Sequence, residues 1–152
     1  MPVSRRHTLS LILSLPALTM LPQVALAKKP AIYANNGIAI DGTDAVAYFK
    51  QGKPVAGSPQ FTHDWMGATW RFSSEANRAA FAANQRAYAP QYGGYCAYAV
   101  SEGYTASTVP QAWKIVNGKL YLNYSRGIQN RWERNYSERI TNANANWPRV
   151  LN

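Results

Sequence analysis

Gln60-Phe61-Thr62-His63-Asp64-Trp65-Met66-Gly67-Ala68-Thr69-Trp70-Arg71-Phe72-Ser73 decides the fold class. Read as a hairpin with Met66-Gly67 at its tip, it pairs Trp65 with Ala68, His63 with Trp70 and Phe61 with Phe72. That register puts Phe61, His63, Trp65, Trp70 and Phe72 on one face. Thr62, Asp64, Thr69 and Arg71 fall on the other. Side chains alternate along a strand, so a slip of one residue would mix the two sets, and their clean separation selects the pairing. Met-Gly is not a favoured pair for a tight turn, which leaves a bulged turn as the alternative.

The flanking segments read as helices. Upstream, Asp41-Gly42 is a turn signal, and Thr43 or Asp44 caps a short helix through Phe49. Downstream, Ser73 or Ser74 caps a helix whose Ala76, Ala79, Ala80, Phe81 and Ala83 recur at helical spacing and which ends near Asn84. Asn117-Gly118 is a favoured tight-turn pair, so Trp113 to Val116 faces Lys119 to Leu122, with Trp113, Ile115, Leu120 and Leu122 on one side. Two further helices follow, roughly Arg126 to Asn135 and Ser137 to Ala145. The sum is a small α+β domain of two β-hairpins packed with several short helices.

Between the hairpins lies Tyr88-Ala89-Pro90-Gln91-Tyr92-Gly93-Gly94-Tyr95-Cys96-Ala97-Tyr98-Ala99-Val100, which holds the one cysteine of the chain. Gly93 and Gly94 allow positive φ and close backbone approach, so they are read as backbone-positioning residues. Tyr92, Tyr95 and Tyr98 offer apolar area with a polar tip. Tyr95 to Ser101 is predicted as a short helix.

The beginning of the chain reads as a leader. Arg5-Arg6 precede an apolar run from Leu9 to Leu21, and Ala25-Leu26-Ala27 matches a cleavage site. Ser4-Arg5-Arg6-His7-Thr8-Leu9 has a twin-arginine pattern, with Thr8 where an aromatic is usual. The predicted organisation is therefore a cleaved secretory signal at 1–27, a linker at 28–40 and the domain with its C-terminal helices at 41–152. Export to the periplasm or the exterior follows, with a mature form that does not span a membrane. The net charge is +9 over 152 residues. The basic residues are scattered, and no nucleic-acid partner is expected. A single cysteine in an oxidising compartment must be buried, metal-bound, paired between chains or redox-active.

These residues resemble the YHS domain family. The core match runs through Asp44-Ala45-Val46-Ala47-Tyr48-Phe49, Gly67-Ala68-Thr69-Trp70-Arg71-Phe72-Ser73-Ser74 and the helix to Phe81, then Tyr88-Ala89-Pro90. Tyr92-Gly93-Gly94-Tyr95-Cys96-Ala97, the segment from Trp113 to Tyr124 and Asn146-Trp147-Pro148 look like an exported subgroup. The resemblance implies a YHS-type fold and a link to metal handling, copper first. Some relatives look like selenoproteins at the position of Cys96, which implies a role for a reactive chalcogen there. The cysteines that other members carry near the first hairpin have no counterpart in Trp70-Arg71-Phe72-Ser73-Ser74.

Apart from His7 in the leader, the chain has one His, His63, beside one Cys, Cys96. Structural zinc needs about four ligands and is not expected. Copper(I) accepts fewer and softer ligands, so Cys96, His63 and Met66 are the candidate metal donors. Three readings stay open: a metal module using Cys96, a single-thiol redox protein, and a module for a small ligand or a protein partner in which Cys96 is merely buried. In the last, Trp65, Trp70, Trp113, Tyr92, Tyr95 and Tyr98 are candidate pocket-lining residues. No CxxC is present, and Asp64 points away from His63, so a conventional enzyme is not expected.

Overall fold

The computed structural model describes residues 28–152, and the leader reading lies outside them. The first hairpin is β3 (Ser58–Trp65) and β4 (Ala68–Phe72). Its register is Trp65↔Ala68, His63↔Trp70 and Thr62↔Arg71, as the alternation predicts. The pairing then shifts, and Phe72 faces Ser58 rather than Phe61. Such a bulge admits extra residues on one strand and bends it, which period-two alternation does not reveal. The tip is tight all the same, with Met66 at φ 50° and Gly67 at φ 78°. Met66 thus occupies the left-handed region that glycine or asparagine normally fills, at a cost of about 1 kcal/mol.

Residues 28–40 are more than a linker. They form a small hairpin, β1 (Ala34–Asn35) and β2 (Ile38–Ala39), and β2 runs parallel to β4, giving a sheet in the order β1-β2-β4-β3. Ile32 and Ala39 are buried, and Tyr33 N–H donates to the Gly93 carbonyl at 2.9 Å. Two-residue strands fall below what periodicity can detect.

The helices follow their caps. Asp44 caps α1 (Ala45–Lys50) and Ser74 caps α2 (Glu75–Ala83). One turn, α3 (Gln85–Tyr88), leads into the Gly-Gly stretch, and α4 (Ala97–Ser101) begins at Cys96. The second hairpin, β5 (Trp113–Val116) and β6 (Lys119–Leu122), has the predicted register throughout. Then come α5 (Arg126–Glu133) and α6 (Tyr136–Asn146).

Two apolar cores result. In the first, the aromatic face of β3–β4 packs on α2, with Phe81 in ring contact with His63, Trp65, Trp70 and Phe72. Burying each large side chain of this kind contributes roughly 2–3 kcal/mol. The second gathers Tyr92, Ala97, Val100, Tyr121, Trp132 and Ala143. The β5–β6 hairpin lies between them: Leu120 and Leu122 enter the first core, while Tyr121 enters the second. Alternation along a strand covered on both faces explains the split.

Candidate functional site

The Gly-Gly stretch and the cysteine that follows it part ways in the structure. Gly93 and Gly94 sit at φ 61° and 86°. A Cβ on Gly93 would stand 1.8 Å from the Ala31 carbonyl oxygen, and one on Gly94 would stand 2.6 Å from Ile40 Cγ2. The glycines therefore let the N-terminal segment pass against this turn, and what they position is that segment.

Cys96 is buried, 1% exposed, at the start of α4. Its sulfur accepts from Tyr124 N–H at 3.2 Å and donates to Asn123 Oδ1 at 3.6 Å. Tyr98 N–H donates to the same Asn123 oxygen at 3.1 Å, which holds that oxygen toward the thiol. Burial pushes the Cys96 thiol up, and the N–H groups of Ala99, Tyr124 and Tyr98 oppose the shift without reversing it. A raised pKa means less thiolate near neutral pH, and the thiolate is the reactive form. We expect alkylation of Cys96 in the folded protein at pH 8 to run at least about tenfold slower than in denaturant. Equal rates in a thiol-trapping assay would mean that the sulfur is reachable after all.

His63 is placed differently. It stands half-buried on β3, edge-on to Phe81 at 5.9 Å between centroids. Its Nε2 is hydrogen-bonded to Gln85 Nε2 at 3.3 Å. Met66 is 47% exposed at the hairpin tip. The three candidate copper donors thus have different partners. Among the described residues no group of three or more His, Cys, Asp or Glu side chains is gathered for a metal ion.

What the fold does assemble is a cavity of about 560 Å³. Trp65 and Met66 reach it from the tip of β3–β4, Tyr92 and Gly93 from the glycine turn. Asn144 and Trp147 close it from the end of α6, with Ala31 and Ile32 from the N-terminal segment. Arg86 of α3 and Lys119 at the start of β6 also line it. Tyr92 is buried, and its hydroxyl donates to Asn144 Oδ1 at 2.9 Å. The Arg86 guanidinium lies over the Trp65 ring, 5.8 Å from its centroid.

Of the residues predicted to line a pocket, Trp65 and Tyr92 do so. Trp70 is a core residue, 1% exposed. Tyr95 is buried with its hydroxyl on the Pro30 carbonyl, and Trp113 packs on Tyr48 in the first core. Tyr98 lies under Arg139, whose Cζ is 3.9 Å from the ring centroid. Arg86, Lys119, Asn144 and Trp147 were not legible as site residues, because they meet only through long-range packing. The one signal they carried was polarity or aromaticity beside a helix end or turn.

Comparison with protein-family models, with curated proteins and with solved structures gave no match. Among the described residues no helix is long and apolar enough to cross a membrane.

Proposed function

We propose that this α+β domain is a binding module for a small ligand with a flat apolar body, held in the cavity between the β3–β4 tip and the end of α6. One observation carries this reading: Trp65, Met66, Tyr92 and Trp147, from three separate parts of the chain, converge on a single cavity. Its volume suits a small organic molecule, and aromatic walls with a few polar groups are the usual make-up of such sites. The Met66 strain at the tip supports the same reading, since φ 50° is an unfavourable setting for this residue and puts its side chain at the cavity. Cys96 in this reading is a packed side chain of the second core region.

The copper and thiol-redox readings drawn from the family resemblance find less support. Each needs the Cys96 sulfur to meet a partner, and Cys96 is buried with its sulfur already hydrogen-bonded. The export reading stands on the pattern of residues 1–27 alone.

Titration of the purified protein with indole, a neutral planar probe, tests the binding reading. The indole N–H resonances of Trp65 and Trp147 are expected to shift saturably while those of Trp113 and Trp132 stay in place. Trp65→Ala is expected to weaken binding about tenfold, the loss of one stacked aromatic contact. No response at Trp65 and Trp147, or a uniform response of all tryptophans, would sink it.

A further inference from the structure

Resting on that reading, we infer that the ligand is anionic: an aromatic carboxylate, or a molecule that presents an equivalent planar anion. The argument starts from the charges that line the cavity. They are Arg86 and Lys119, and the lining contains no Asp or Glu. Three cations elsewhere are paired, Arg78 with Glu75, Lys114 with Glu133 and Arg139 with Glu102, and most of the others are left to solvent. Among the described residues, Arg86 and Lys119 make no ion pair and no side-chain hydrogen bond.

The orientation of Arg86 adds to this. Its guanidinium lies over the Trp65 indole rather than on a carboxylate. A guanidinium held over a ring and not on a carboxylate keeps its N–H groups available, and those groups match the two oxygens of a carboxylate. Trp65 and Arg86 therefore present an aromatic surface and an anion-binding edge side by side.

Asn144 adds a donor to this lining. Tyr92 donates its hydroxyl to Asn144 Oδ1, which occupies that acceptor. Asn144 keeps its NH2 as a donor, beside the one remaining lone pair of its oxygen. Two cations and no acid around an aromatic wall favour a negatively charged head on a flat body. Arg86 and Lys119 are both exposed, so the attraction acts through solvent as well as by contact and is sensitive to salt.

The test compares indoleacetate with indoleacetamide, which share a ring system and differ in charge, by calorimetry on the purified protein at low and high salt. The acid is expected to bind about tenfold tighter at low salt, the worth of one charge-assisted hydrogen bond, with the difference shrinking as salt is added. The double variant Arg86→Gln/Lys119→Gln is expected to bring the acid and the amide to equal affinity at low salt. If acid and amide bind equally, the anion inference falls and the cavity reading stands. If the double variant keeps the full preference for the acid, the charge is read by other groups and the inference falls too. If neither probe binds into the millimolar range, both readings fall.

Discussion

Replacing Asp44 by Ala is expected to remove about 3–5 kcal/mol of folding stability, read as a lower urea midpoint with an unchanged slope. Asp44 is fully buried. Its Oδ1 accepts from Val46 N–H at 2.9 Å and Ala47 N–H at 3.1 Å, which caps α1. Its Oδ2 accepts from Ser73 N–H at 2.8 Å, Ser73 Oγ–H at 2.7 Å and Asn77 Nδ2 at 2.8 Å. One carboxylate thus joins the start of α1 to the junction of β4 and α2, the region that frames the first core. The alanine variant leaves five donors without their acceptor, three of them in buried bonds, and unpaired buried donors carry the desolvation cost in full.

Asp44→Asn sharpens the prediction. All five partners are donors, and an amide has one acceptor oxygen and an NH2 that would face donors. The asparagine variant is expected to recover little of the loss, although Asn is as good as Asp at an ordinary helix cap. A loss below about 1 kcal/mol for the alanine variant, or full recovery with Asn, would show that Asp44 is only a cap.

Gly93→Ala is the second large effect, with an expected loss of about 3 kcal/mol or more. Two costs combine. A non-glycine residue at φ 61° costs about 1–2 kcal/mol. The new methyl also stands 1.8 Å from the Ala31 carbonyl oxygen, which is backbone and cannot rotate aside. Residues 28–33 must move, and with them goes the Tyr33 N–H bond to the Gly93 carbonyl. Overpacking of this kind adds roughly 1–3 kcal/mol. Gly118→Ala is the control: φ is 72°, but nothing lies within 4 Å of the added Cβ. It is expected to cost only the backbone term, about 1 kcal/mol. Comparable losses for the two variants would mean that the approach of Ala31 is not what Gly93 serves. Because Gly93, Ala31 and Ile32 all line the cavity, Gly93→Ala is also expected to impair binding of the planar probe.

These two positions mark the limits of what could be read from residues alone. Asp44 was legible as a cap for α1, since an acidic residue before an apolar run is a local signal. Its bonds to Ser73 and Asn77 were not, because they bridge segments 29 and 33 residues apart. Gly93 and Gly94 were legible as residues needing special backbone geometry. They stand beside Cys96 in the chain, yet what they make room for is Ala31 and Ile40. Trp65 and Trp70 sat on one face of the same hairpin, yet Trp65 lines the cavity and Trp70 is enclosed. Phe81 packs on both rings, but Trp65 stands at the tip of the strand pair, where the cavity adjoins it.

The sequence by itself determined the hairpin pairings at Trp65↔Ala68 and Trp113↔Leu122, the capped helices and the α+β class. These depend on alternation, helical spacing and turn chemistry, which act within about ten residues of chain. Tertiary structure decided the bulge that moves Phe72 onto Ser58, the use of residues 34–39 as strands, the burial of Cys96 on Asn123 and Tyr124, and the membership of the cavity. Each of those turns on which distant surfaces meet. Apolar burial favours many such meetings without naming one, and close packing of particular side chains then selects among them.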